Sequence, residues 1–249
     1  MGPTNSAPAP HSGAPCLWLI PGILNKPSDP DSWQDRGVTE TLHRTAFLAE
    51  KGEYMARPIT RRIGLTRKSR KIAERICIYS GRNIHLLVHS NGGEVARRII
   101  RWALEDRPDY VPMPKFASIT FLAPACDADF DANYLNAAFR AGILGRVVVN
   151  RAENDFPLKL GRASKRVFGV IGLGYGDLGL VGPRNVDPLY VDRVEDEKFP
   201  GYRHGTFTSG NELNQTLASV WVTMRLAEYK FPHHADWRAV NHQDTETPR

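Results

Sequence analysis

Short apolar runs, each stopped by a polar or glycine-rich break, set the rhythm of this chain. Leu17–Ile20, the run through Leu86, Leu87 and Val88, Phe116–Ala123 and Gly145–Asn150 have the length and residue types of buried strands. Between them, apolar residues recur at helical spacing. Val38–Lys51 places Leu42, Ala46, Leu48 and Ala49 near one face; Thr66–Ile78 turns Ile72, Ile76 and Tyr79 inward, with Thr66 as its cap. Further helices are predicted from Asn91 to about Glu105, over Phe130–Ala141, over Pro157–Lys165 and over Asn211–Tyr229. The last is amphipathic through Leu213, Leu217, Val220 and Met224. Tyr54–Ile59 and Val186–Val191 read as short strands, and Pro188 keeps the second at an edge. Alternating strands and helices predict an α/β fold: a mostly parallel central sheet with helices on both faces.

Composition narrows this only in part. The 249 residues are 41% hydrophobic and 24% charged, the balance of a water-soluble globular chain large enough for one well-buried core. The pattern divides into a Pro-, Ser- and Gly-rich tail over residues 1–15, one domain over 16–232 and a polar tail over 233–249. No apolar stretch reaches the ~18 residues of a membrane span, and the start lacks the basic and apolar regions of a secretory signal. Cys16, Cys77 and Cys126 match neither a metal knuckle nor a redox pair. They read as reduced, buried thiols in a cytoplasmic protein. The net charge of +6 includes a dense group at Arg61, Arg62, Arg67, Lys68, Arg70 and Lys71. Its simplest reading is a solvated helix face; nucleic acid is the less favoured partner.

In parallel α/β sheets, ligands sit at the carboxyl ends of the strands. Here those ends carry Pro21-Gly22, His89-Ser90, Pro124 to Asp127 and Asn150 to Asp155. Ser90 stands out, with a buried strand before it and Gly92, Gly93 and a helix after it. This is the layout of a nucleophile elbow, in which a sharp turn lifts a serine above the sheet. Val88 occupies the place where the usual Gly-x-Ser-x-Gly has its first glycine, and its bulk is expected to crowd the turn.

A serine hydroxyl needs a base to take its proton and an acid to orient that base. Among the eight histidines, His204 lies in a glycine-bounded loop just before the final helix, where it can reach over a strand end. His89 adjoins Ser90 at a position that normally points away. Asp155 follows a strand at the right end of the sheet, and Asp127 is the alternative acid. The oxyanion donors would be the backbone N–H groups of Asn91 and of Ile23 or Leu24, with Gly22 allowing close approach of substrate. Gly172 to Gly179 lacks the third glycine of a dinucleotide loop, since Asp177 stands there. No compact metal motif occurs, so neither a cofactor nor a metal is expected; His233-His234 beside Asp236 reads as a terminal pair.

Taken together, His89-Ser90-Asn91-Gly92, Leu122-Ala123-Pro124-Ala125, Asn154-Asp155-Phe156-Pro157-Leu158 and His204-Gly205 resemble the α/β-hydrolase superfamily. The nearest likeness is to a group of uncharacterised bacterial α/β-hydrolase-like serine hydrolases, over roughly Leu17 to Tyr229. The resemblance implies Ser90 as nucleophile, Asp155 as acid and His204 as base. It implies hydrolysis of an ester-like bond in a small acyl substrate bound beside Gly22 and Leu24. The sequence departs from the family at Val88, at Pro21 where many members have histidine, and in a glycine-rich insert over Val167–Gly182. The rival expectation is a non-catalytic binding or interaction module that keeps the fold and a basic surface.

Overall fold

Alternation along the first strand decides which side each helix covers. The computed structural model describes residues 13–22, 32–54, 64–160 and 176–230. In β1 (Cys16–Ile20) every side chain is buried, Cys16, Trp18 and Ile20 on one face and Leu17 and Leu19 on the other. The same two-residue period runs through β3 (Ile84–His89) and, after an irregularity following Phe116, through β4 (Phe116–Leu122). With β2 (Leu48–Lys51), β5 (Val147–Asn154) and β6 (Val194–Arg203), these strands form one sheet in the order β2-β1-β3-β4-β5-β6. Every pairing is parallel.

One face is covered by α2 (Leu65–Cys77), α3 (Gly92–Arg101) and α4 (Leu135–Arg140). Ile72, Ile76, Val95, Ile99 and Phe139 pack there against Trp18, Leu86, Val88 and Phe121. The other face is covered by α1 (Trp33–Arg44) and α6 (Gly210–Lys230), through Leu213, Leu217, Val220 and Met224 on Leu17, Leu19 and Leu87. A short α5 (Leu178–Val181) closes against the ends of β4 and β5. Both faces of the central strands are therefore dry, which is why they read as unbroken apolar runs.

Five sequence expectations need correction, the first being the helix expected over Phe130–Ala141, which forms only over Leu135–Arg140 after turns at 130–134. The helix expected at Val38–Lys51 starts earlier and stops sooner, at Trp33–Arg44, and β2 follows it. Ser32 caps α1 by accepting a hydrogen bond from the Asp35 N–H. Its buried face is Gln34, Gly37 and Thr41, small or polar residues that hydrophobic spacing does not register, while Leu42 is half exposed. Gln34 Nε2 donates to the Leu19 carbonyl, and Gly37 leaves no room for a Cβ against Leu19.

The polar turn expected at 151–155 is instead a continuation of β5 to Asn154. Val186–Val191 is not a strand; residues 188–193 form a 3-10 turn. The edge strand is β6, whose charged, exposed sequence shows no apolar alternation. Finally, Gly64, in the left-handed conformation, precedes α2 with no side-chain cap, and Thr66 instead pairs with Arg98. The expected strand at 54–59 and the helix at 157–165 lie largely outside the described residues, as do both tails, Arg61, Arg62 and His233-His234. Residues 156–160 are helical.

The three cysteines are free and buried, and burial pushes their thiols up, Cys16 to about 12 and Cys77 to about 11. No helix among the described residues is long and apolar enough to cross a membrane. Arg67, Arg70 and Lys71 lie on the exposed face of α2, and Arg70 is paired with Glu74 one turn on.

One polar pair is sealed in the layer under α6. His85 Nδ1 lies 2.8 Å from Ser118 Oγ, both groups are buried, and His85 Nε2 has no hydrogen-bond partner among the described residues. Burial pushes the His85 imidazole down from 6.5 to about 3. Below its ordinary value the unfolded chain takes up a proton that the folded chain refuses, so this contribution is intact above about pH 6.5 and erodes as pH falls toward 3. Between pH 6.5 and 5 the loss should reach about 2 kcal/mol. Urea unfolding at pH 7 and pH 5 checks this: His85→Leu with Ser118→Ala should flatten the dependence, and an unchanged slope would contradict it.

Candidate active site

The turn after β3 forms as the elbow requires. Ser90 has φ +53°, in the left-handed region that costs a non-glycine residue about 1–2 kcal/mol. Three backbone hydrogen bonds hold it there: Ser90 N–H donates to Leu122 O, and Ser90 O accepts from the N–H groups of Gly93 and Ala125. Gly92 faces the end of β1 so closely that a Cβ would lie 2.6 Å from Ile20 O and 2.8 Å from Pro21 O. At Gly93 a Cβ would lie 2.9 Å from Cys126 Sγ. The crowding expected at Val88 does not arise. Its side chain is fully buried among Ile20, Val95 and Phe121, and the closest approaches fall on the two glycines instead.

Asp155 and His204 are brought together by a shift in strand register. β5 and β6 pair Ala152 with Phe199, then Asn154 with Arg203, so β6 gains two residues over β5. Without that shift Asp155 would face Tyr202. With it, Asp155 and His204 leave their strands side by side. The extra residues include Gly201, at φ +75°, whose N–H donates to Glu153 and holds that carboxyl below its usual range, with help from Lys198. Packed on one another, Phe199, Tyr202 and Phe207 have ring centroids 5.0–5.2 Å apart and support the His204 turn.

The resulting geometry is continuous. Ser90 Oγ lies 2.7 Å from His204 Nε2, and His204 Nδ1 lies 2.8 Å from Asp155 Oδ2. The other oxygen of Asp155 accepts the Leu158 N–H at 2.9 Å. Asp155 is completely buried, whereas the His204 side chain keeps about a fifth of its surface exposed (19%). A carboxylate only accepts, so the Nδ1 proton of His204 points at Asp155 and Nε2 presents a lone pair to the serine. Asp127 is elsewhere: its carboxylate accepts the Asp129 N–H in a local turn.

Around Ser90, Gly22 sits where a Cβ would be 2.9 Å from Ser90 Cβ and 3.4 Å from His89 Nδ1. Ile23 and Leu24 lie outside the described residues. The Asn91 side chain is fully buried and turned away from the site, its Nδ2 donating to Tyr54 Oη at 3.3 Å. Tyr54 in turn donates to Pro21 O at 2.8 Å. Tyr54 thus ties the elbow to the loop that leaves β1. Sequence reasoning missed it because the link spans more than thirty residues and nothing local marks it. His89 also departs from expectation: it points not away but toward the His204 turn, its Nε2 2.9 Å from His204 O. Strand alternation held the clue, since His89 shares a face with His85 and Leu87.

No protein-family model matches the sequence, and no similar curated protein is found. Solved structures do match. A presumptive hydrolase from Agrobacterium vitis S4 superimposes with a TM-score of 0.53 at 14% identity, over 85% of this chain and 88% of that one. Esterase B from Lactobacillus rhamnosis, determined in an inhibited form, gives a TM-score of 0.53 at 11% identity, over 88% and 79%. The chain has the α/β-hydrolase fold. Within it, Ser90, Asp155 and His204 follow three different strands and converge on one point.

Two substitutions test how this site is held. Gly92→Ala drives a Cβ into backbone that cannot move aside, and should destabilise the protein by roughly 1–3 kcal/mol, read as a lower melting temperature. Tyr54→Phe removes the hydroxyl that joins Asn91 Nδ2 to Pro21 O and should cost about 1–3 kcal/mol in denaturant unfolding. A wild-type melting temperature for Gly92→Ala would refute the close approach.

Proposed function

We propose that this protein is a serine hydrolase that cleaves an ester-like acyl bond through a covalent acyl-enzyme. The observation that carries the reading is the unbroken chain from Ser90 Oγ through His204 to the buried Asp155, at 2.7 and 2.8 Å. The fold shared with an esterase supports it.

In this reading Ser90 Oγ attacks the acyl carbonyl as its proton passes to His204 Nε2. Asp155 keeps the imidazole in the required tautomer and stabilises the imidazolium. The oxyanion is met by the Asn91 N–H at the start of α3; the sequence offers the Ile23 N–H, outside the described residues, as the second donor. As the intermediate collapses, the C–O bond to the leaving group breaks and His204 returns its proton to the departing alkoxide. Water then attacks the acyl-serine while giving a proton to His204. Collapse of that second intermediate releases the carboxylic acid and restores the Ser90 hydroxyl. Atoms balance as ester plus water to acid plus alcohol. The three residues need no metal or organic cofactor to complete this cycle.

A fluorophosphonate probe and p-nitrophenyl acetate test the assignment. Wild-type protein should be labelled and should turn over the ester, and Ser90→Ala should lose both. Asp155→Asn should lower kcat by about 10⁴-fold, because the imidazole would then rest in the wrong tautomer. Labelling that survives in Ser90→Ala would overturn the nucleophile. A wild-type protein that is neither labelled nor active would favour the non-catalytic module.

A further inference from the structure

We propose that His89 is a positioning residue for the base: its neutral imidazole donates the Nε2 proton to the main-chain carbonyl of His204 and fixes that turn while the His204 side chain moves protons. The inference rests on the triad reading above and adds a residue to it. A carbonyl oxygen can only accept, so the 2.9 Å contact places the His89 proton on Nε2. The His89 ring is tilted against the His204 ring at a centroid distance of 5.1 Å, and Trp33 meets its other side edge-on at 6.3 Å. Three elements thus fix one imidazole: β3 carries it, α1 supplies Trp33, and the turn after β6 receives its proton.

The contact matters because His204 stands on a two-residue turn, not in a strand. Beyond Arg203 the backbone of this turn is secured by Arg203 N–H to Thr206 Oγ1 and by the hydrogen bonds of residues 205–209. The carbonyl of His204 itself is held by His89. Rotation about that peptide would swing the imidazole off the line between Ser90 and Asp155.

Charge sets a second requirement. The titratable groups facing His89 are His204 and Asp155. Burial, followed by the neighbouring His204, pushes the His89 imidazole down to about 4, against the opposing pull of its own hydrogen bond and of Asp155. His89 therefore remains uncharged at neutral pH, when His204 becomes an imidazolium in each proton transfer. A second cation at this distance would oppose that step.

His89→Phe keeps a flat ring and removes the donor; His89→Gln restores an N–H near the original position. On p-nitrophenyl acetate, His89→Phe should lower kcat by about 10–100-fold with KM little changed, and should slow fluorophosphonate labelling in parallel. His89→Gln should recover most of the rate. The downfield proton resonance of His204 Nδ1 should persist in wild type and His89→Gln and broaden in His89→Phe. If His89→Phe fails to fold, His89→Asn, whose shorter amide stops short of the carbonyl, makes the same comparison. The proposal is overturned if the donor-free variant keeps the wild-type kcat, if His89→Gln is as slow as His89→Phe, or if KM alone rises. An inactive, unlabelled wild-type protein would instead remove the triad reading beneath it.

Discussion

Everything at this site depends on the backbone of Ser90 being kept in a conformation that serine avoids. Left alone, the turn would relax, since a positive φ places Cβ too near the following carbonyl. It persists because its neighbours on both sides grip it: β4 and the loop after it through Leu122 and Ala125, and the end of β1 through the close approach of Gly92. Strain of this kind survives only where the surroundings over-determine it. The glycines are therefore part of the constraint and not relief from it. They let α3 come so near the end of β1 that the turn has nowhere to go.

Much of this was legible in the sequence, for an identifiable reason. Buried parallel strands need long apolar runs, and strand exits need abrupt polar or glycine breaks. Ser90, Asp155 and His204 could be singled out because each stands at or just past such a break. The elements that escaped lack those signatures. β6 is charged and exposed along most of its length, so no period shows. The start of α1 was hidden because its buried face is Gln34, Gly37 and Thr41, which earn their burial through a hydrogen bond to Leu19 and a close approach to β1. Residues that act through distant partners left no trace either: Tyr54 and Trp33 acquire their roles only when the sheet is assembled.

Val88 teaches a related lesson. A motif written as glycines at fixed positions suggests that each is needed for the same purpose. Here the position before the turn lies inside a well-packed layer, where a valine fills space between Ile20 and Phe121. The demand for a missing Cβ has moved to Gly92, Gly93 and, across the site, Gly22. What is required is clearance at particular contacts, and a sequence pattern records that only indirectly.

His204 follows the outermost strand at one side of the described sheet, while Ser90 and Asp155 follow strands nearer its centre. Edge strands have one row of backbone groups without a neighbour and open more readily than central ones. Glu195, Asp196, Glu197 and Lys198 spread charge along this margin, a barrier to strand addition from another molecule. The same placement separates two kinds of robustness. Fraying of β6 would part His204 from Asp155 and leave β1, β3 and β4 with their helices intact, so the hydrogen-bonded chain from Ser90 to Asp155 can break while the fold is kept.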